Sequence, residues 1–333
     1  MYTVDVIIPT YKPDKEFLKL ISILEHQTYP VHKIIIMNTE EQYFTGLTYN
    51  YDLSLDHSKL EVHHISKMEF DHAGTRRTAV DYSTADFFVC MTQDAMPADE
   101  TLIENLLKPL VTGEAQGSYA RQVPYEDAGD IERFTRKFNY PKQSYIKSSE
   151  DMERMGIKTY FCSNVCAAYN RSVYEELGGF PKFAIFNEDM IYASKLINAG
   201  GKIAYVAEAV VFHSHNYTAK EQFHRNFDNG VSQAENPDIF DNLPAEGEGK
   251  RMVSATAKYL VKNKKWYMVP KLIVHSGAKY IGFKLGKNYS HFRQNQVLKW
   301  TMNQAYWEKK NIRNATVNID PYAGYGIGPN ERK

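Results

Sequence analysis

The first half of the chain alternates short apolar runs with stretches whose apolar residues recur every three to four positions, the pattern of a mostly parallel sheet flanked by helices. "VDVIIPT" (residues 4–10) predicts a first strand that stops at Pro9-Thr10. In "DKEFLKLISILEHQ", Phe17, Leu20, Ile21 and Leu24 fall at i, i+3, i+4 and i+7, a helical stripe that Asp14 is placed to cap. "KIIIMNT" (33–39) predicts a second strand, "LEVHHIS" (60–66) a third, residues 75–84 a helix, and "DFFVCMT" a fourth strand. Strands that alternate with helices in this way make a nucleotide-binding half-domain, with ligands at the strands' carboxyl ends.

Periodicity weakens afterwards. "GSYARQVP" (117–124) predicts a strand, whereas 125–160 is charged and aromatic with little period and is expected to be a loop region on the substrate side. A strand and a short helix stopped by Gly178-Gly179 are expected over 164–180, then a helix in "NEDMIYASKLINAGG". Two short strands, "KIAYV" and "AVVFHSH", close the body near residue 216. From about 220 the pattern is helical, interrupted at Pro237, Pro244 and Pro270. The expected division is therefore 1–218, with halves 1–97 and 98–218, and a helical region 219–333.

Composition narrows the class. In 333 residues, 43% of them hydrophobic, no apolar run approaches the roughly 18 to 20 residues needed to span a bilayer. The start, "MYTVDVIIPTYKP", reads as a strand and not as a secretory leader, and the odd cysteine count (Cys90, Cys162, Cys166) suits a reducing cytoplasm. The zero net charge hides an asymmetry: residues 250–313 hold 15 Lys plus Arg against Glu308 alone, which is +14 and leaves −14 on the rest.

Four constellations carry candidate chemistry. Asp94 follows the fourth strand in "VCMTQDAMP", where a carboxylate can hold Mg²⁺ or Mn²⁺ against a diphosphate; the blander alternative is a strand-end cap. Glu188 and Asp189 open a predicted helix, which suits a proton acceptor as well as simple dipole complementarity. His213 and His215 follow a strand at i and i+2, so both can face one site. In "FDHAGTRR" (70–77), Arg76 or Arg77 at a helix start could hold pyrophosphate.

In this order and spacing the pieces resemble family 2 glycosyltransferases of the GT-A fold, over about residues 1–218. "FDHAGTR" and "TQDAMP" further resemble bacterial rhamnosyltransferases of cell-wall or capsular polysaccharide. The resemblance implies that Pro9, Thr10 and Tyr11 hold the nucleoside, and that Asn38-Thr39 stand where many relatives carry a base- or ribose-binding aspartate. It implies further that Arg76, Gln93 and Asp94 serve the donor diphosphate and its metal, Thr92 replacing the first acid of a DxD-type motif. Asp189 corresponds to the catalytic base with Glu188 as its neighbour, and one of His213 and His215 completes the metal site. The implied reaction is inverting, metal-dependent transfer, with dTDP-β-L-rhamnose as the expected donor and a polysaccharide or polyprenyl-diphosphate-linked glycan as acceptor.

For residues 250–313 the expected partner is an anionic membrane surface at the inner leaflet; nucleic-acid binding and plain packing against the body are the rival readings. Alternatives for the whole chain are a UDP-glucose or UDP-galactose donor, a non-catalytic sugar-binding relative, and a Zn²⁺ hydrolase, the last weakened by the absence of a third ligand at recognisable spacing.

Overall fold

A computed structural model describes residues 2–50, 57–241 and 246–317. The strands are β1 (Val4–Tyr11), β2 (Lys33–Thr39), β3 (Leu60–Ile65), β4 (Phe87–Met91), β5 (Met96–Pro97), β6 (Gly117–Val123), β7 (Tyr145–Lys147), β8 (Cys166–Asn170) and β9 (Ile203–Phe212). The helices of the same part are α1 (Lys15–Glu25), α2 (Glu41–Asn50), α3 (His72–Tyr82), α4 (Leu102–Val111), α5 (Asp130–Asn139), α6 (Met152–Met155), α7 (Arg171–Glu176) and α8 (Glu188–Asn198). Six more follow: α9 (Ala219–Ala234), α10 (Pro237–Phe240), α11 (Glu246–Lys262), α12 (Val269–Lys287), α13 (Gln294–Trp300) and α14 (Gln304–Val317).

The strands form one mixed sheet in the order β3-β2-β1-β4-β8-β6-β9-β5, with β7 also on β9. β3, β2, β1 and β4 run parallel, and β8 lies antiparallel between β4 and β6. Alternate residues of β1 enter opposite layers. Val4, Val6 and Ile8 pack with Leu20, Leu24 and Leu106 of α1 and α4, while Ile7 joins Phe88, Tyr119, Tyr169 and Tyr192 on the other face. Each buried branched side chain is worth about 2 kcal/mol relative to exposure. Asp14 caps α1 as its position predicts, accepting from the N–H groups of Glu16 and Phe17 at 3.0 and 3.3 Å.

Two expectations need correction. Residues 202–215 contain one strand, not two: β9 pairs Val206 with Ala120 and then Val210 with Arg121, so the interruption at Ala207-Glu208-Ala209 is absorbed as a bulge in a continuous strand. The presumed loop region 125–160 contains α5, β7 and α6. Its helix escaped detection because its partner is remote: Phe134 stacks on Tyr259 of α11 with centroids 4.5 Å apart.

The basic C-terminal helices are fastened to the body. α9 and α12 cross at Gly230, Gly282 and Gly286, where an added Cβ would overlap the backbone oxygens of Phe283, Phe223 and Phe227 respectively. The crossing is therefore closed to any larger residue. Lys309 pairs with Asp71 at 3.3 Å, Lys265 with Asp130, and Tyr306 stacks on Phe183 at 4.4 Å. Buried Asp228 accepts from the Thr301 hydroxyl at 2.6 Å and Met302 N–H at 2.9 Å, and burial pushes its carboxyl up to about 7. Part of the positive charge is thus used internally. No described helix is long and apolar enough to cross a membrane.

Candidate active site

β4 ends at Met91, and the turn beyond it presents Asp94 with its side chain 45% exposed. The antiparallel pairing of Met96 with Phe212 brings the end of β9 alongside, so His213 and His215 arrive at the same point. Asp94 Oδ2 lies 3.5 Å from His213 Nε2 and 3.3 Å from His215 Nε2. One ligand atom from each of the three residues lies within 4.8 Å of the others. The i, i+2 expectation holds although the strand has ended.

Gln122 on β6 prepares the cluster. Its Nε2 donates to Ser163 Oγ at 3.0 Å, which leaves Oε1 to accept from Arg136 and from His213 Nδ1 at 3.1 Å. Because that oxygen can only accept, His213 carries a proton on Nδ1, and its Nε2 faces Asp94. Burial, reinforced by His213, pushes His215 down to about 4 against the pull of Asp94, so its ring is neutral near pH 7. Burial alone would raise the Asp94 carboxyl, but the hydrogen bond and charge of His213, with His215 behind it, hold it well below the usual carboxylate range. One carboxylate and two imidazoles are a donor set for a divalent metal.

The adjacent acids open α8 after Asn187, which adopts a left-handed φ of 61° and donates to Asn229 of α9 at 2.7 Å. Glu188 is buried and paired with buried Arg76 at 3.0 Å. Asp189 turns the other way, accepting from Asn164 N–H at 3.0 Å and from its neighbour Met190 N–H at 2.8 Å. Burial raises the Asp189 carboxyl, the charge of Glu188 raises it further, and the two N–H groups and Arg76 only partly offset this. It is therefore a more basic carboxylate than an exposed aspartate. Asn164, which the sequence reading did not single out, also donates from Nδ2 to Glu188 at 3.1 Å and accepts from the Tyr169 hydroxyl at 2.8 Å.

The family described as "Glycosyl transferase family 2" matches residues 5–178. The chain belongs to glycosyltransferase family 2. The O-antigen chain rhamnosyltransferase RfbN of Salmonella typhimurium is 38% identical over 310 residues, 91% of this chain and 96% of that protein. The O-antigen chain rhamnosyltransferase WbaN of Salmonella anatum is 42% identical over 245 residues, 73% of this chain and 78% of that protein. Among solved structures, the mannosyltransferase PcManGT from Pyrobaculum calidifontis, in complex with GDP-Man and Mn²⁺, aligns at a TM-score of 0.52 and 15% identity. It covers 95% of this chain and 88% of its own, a likeness of fold. The family and the GT-A architecture expected from the sequence are both present.

At the carboxyl ends of the first two strands of the glycosyltransferase, β1 and β2 pair Pro9 with Met37, Thr10 with Asn38 and Tyr11 with Thr39. Thr10, Asn38 and Thr39 are buried; Thr10 donates to Asn38 at 3.2 Å, and Asn38 donates to the Glu40 carbonyl and meets His64 Nδ1 at 3.0 Å. The Thr10 and Asn38 side chains tie strand ends together, which leaves Tyr11 as the exposed member. Gln93 is likewise occupied: its amide accepts from Tyr11 N–H at 2.8 Å and donates to Tyr11 C=O at 3.0 Å. Tyr43, absent from the sequence reading, meets Tyr11 edge-on at 5.5 Å, and Lys12, at a left-handed φ of 51°, stands over both rings. Nothing in sequence pairs residues 11 and 43; the parallel β1–β2 ladder does.

The segment "FDHAGTRR" makes contacts across the fold. The structure sets Arg76 against Glu188, and Arg77 donates to the carbonyls of Gly178 and Phe180 at 2.6 Å each. Asp71 caps α3 through Gly74 N–H at 2.7 Å, and a Cβ on Gly74 would stand 2.6 Å from that carboxylate. The segment locks α3 to the turn before α8 and balances Glu188.

Proposed function

We propose that this glycosyltransferase is an inverting, metal-dependent rhamnosyltransferase, moving L-rhamnose from dTDP-β-L-rhamnose to a hydroxyl of a growing surface polysaccharide or a lipid-linked glycan. The observation that carries the reading is the bridge made by Gln122. Its two amide atoms contact His213 and Ser163, and Ser163 precedes the Asn164 that holds Asp189. A metal-type donor set and a raised carboxylate thereby share one scaffold. The rhamnosyl donor is supported by the two relatives at 38% and 42% identity.

Asp94, His213 and His215 would hold the cation, and two imidazoles favour Mn²⁺ over the more oxygen-demanding Mg²⁺. When bound, a cation there supplies charge neutralisation for the departing diphosphate. Asp189 accepts the proton of the acceptor hydroxyl as that oxygen attacks the anomeric carbon from the face opposite the diphosphate. Glu188 is engaged by Arg76 and Asn164 and keeps the base in register. No covalent nucleophile is needed, and a β donor yields an α product. Nucleotide release should be fastest with dTDP-rhamnose and Mn²⁺; faster release from UDP-glucose or UDP-galactose would overturn the donor assignment.

The same proposal places the enzyme on the cytoplasmic face of an anionic membrane. α12 and the turn before it expose Trp266 (69%), Tyr267, Ile273, Val274, Tyr280 and Ile281 among Lys262, Lys264 and Lys271. Apolar rings beside cations suit an interface of lipid and water, whereas no partner element covers them in the described chain. Sedimentation with anionic vesicles at low salt should pull the protein down and neutral vesicles should not. Equal recovery in both supernatants would remove the membrane from the proposal.

A further inference from the structure

Asn187, immediately before the two acids, occupies the N-cap of α8. An asparagine there ordinarily keeps an extended backbone and turns its side chain to accept from the first-turn N–H groups of its own helix. Asn187 does neither. Its backbone is left-handed at φ 61°, it makes no side-chain cap, and its Nδ2 donates to Asn229 Oδ1 of α9 at 2.7 Å. A left-handed residue other than glycine persists where its surroundings impose that conformation, and here α9 imposes it.

Two more residues of α9 hold the same turn. Buried Ser232 donates its hydroxyl to the Phe186 carbonyl at 2.6 Å, and the Arg225 guanidinium stands 4.6 Å from the centre of the Phe186 ring. Arg225, Asn229 and Ser232 fall at i, i+4 and i+7, a single stripe along the helix. Arg225 also lies 5.7 Å from the ring of Tyr217, which packs on His215 at 4.8 Å, so the stripe runs from the metal-type cluster to the acids.

The other faces of α9 are fixed independently. Gly230 closes on α12, Asp228 accepts from Thr301 and Met302, and Phe227 and Val231 share a core with Ile185, two residues before Asn187. From the opposite side, His72 of α3 meets Phe186 edge-on at 5.8 Å. The opening of α8, and with it the direction in which Glu188 and Asp189 leave the backbone, is therefore set by a helix of the C-terminal region and not by local capping.

We propose that Asn229 and Ser232 of α9 are positioning residues for transfer, holding the turn at 186–187 so that Asp189 meets the attacking hydroxyl in line with the anomeric carbon. The inference rests on the reading of Asp189 as proton acceptor and adds to it the element that aims the base. Asp94, His213 and His215 stand on other elements, so the aim of the base and the hold on the donor are separable.

The readout is nucleotide release by the full chain with Mn²⁺, water serving as acceptor, from whichever of dTDP-rhamnose, UDP-glucose and UDP-galactose it cleaves fastest. Asn229→Ala removes the acceptor of the Asn187 amide and is expected to lower kcat by about 10- to 100-fold, with donor KM and Mn²⁺ affinity within about twofold of wild type. A double-mutant cycle with Asp189→Asn separates aim from loss of fold. Asn229→Ala should cost nothing further once the base is gone, whereas a loss of folded enzyme would lower both backgrounds by the same factor. Ser232→Ala deletes only a hydroxyl and carries the same cycle, should Asn229→Ala lose its native melting transition. An unchanged kcat in both variants, a raised donor KM in place of a lowered kcat, or equal losses with and without the Asp189 carboxylate would each overturn the proposal. Failure of the base reading shows separately, as an unchanged rate in Asp189→Asn alone, and would take this proposal with it.

Discussion

Asp189→Asn is expected to lower transfer by about 10³-fold while leaving donor affinity within about twofold, because general-base catalysis is worth roughly 10² to 10⁴. The replacement is nearly isosteric and keeps an oxygen to accept from one of the two backbone N–H groups that hold the carboxylate. It removes the proton acceptor alone. A base must be deprotonated to act, and burial and Glu188 both raise the Asp189 carboxyl. The wild-type rate should therefore climb with pH along a limb above the ordinary aspartate range of about 3.9, and the variant should lack that limb. Steady-state rates across pH 5 to 9 would show it; an unchanged rate in Asp189→Asn would remove the assignment. Glu188→Gln is a different experiment: it strands buried Arg76, whose Nε already lacks a partner, and the expected loss is of stability, on the order of 3–5 kcal/mol.

Asp94→Ala should abolish metal-stimulated donor binding, with nucleotide–sugar affinity falling to the value measured for the wild type in EDTA. The carboxylate is nearly half exposed, so the fold should tolerate its removal. Gln122→Leu tests the same site at one remove: without the carboxamide, His213 is free to take either tautomer, and metal affinity should fall by about 10- to 100-fold. Manganese titration followed by tryptophan fluorescence or calorimetry would measure both. Metal-stimulated binding that survives Asp94→Ala would move the metal elsewhere.

The catalytic body was largely legible because its signals are local. The strand β1, the stripe Phe17-Leu20-Ile21-Leu24 with its Asp14 cap, and the Gly178-Gly179 stop each depend on a few neighbouring residues, and all stand as expected. Asp94, His213 and His215 could be nominated singly, since a strand's carboxyl end is where chemistry collects in such sheets. Arg76 illustrates the limit. Its place at the start of a helix suggested a diphosphate, but nothing near it in the sequence could show its pairing with Glu188, more than a hundred residues away. Asn38 and Gln93 were likewise noticed for position, and their contacts, Asn38 with Thr10, Glu40 and His64 and Gln93 with the Tyr11 backbone, come from the fold.

By itself the sequence determined the alternation of strand and helix, the family, the pair of acids at a helix start and the excess of cations after residue 250. Each depends on period, spacing or count, which survive without knowing what packs on what. The tertiary structure decided which charges meet. It gave Arg76 to Glu188, set Gln122 between His213 and Ser163, and put Asn164 on both acids. The physical reason is range. Side-chain hydrogen bonds and desolvation act over a few ångströms, and these partners become neighbours only when the sheet is ordered and three glycines let α9 and α12 close on each other.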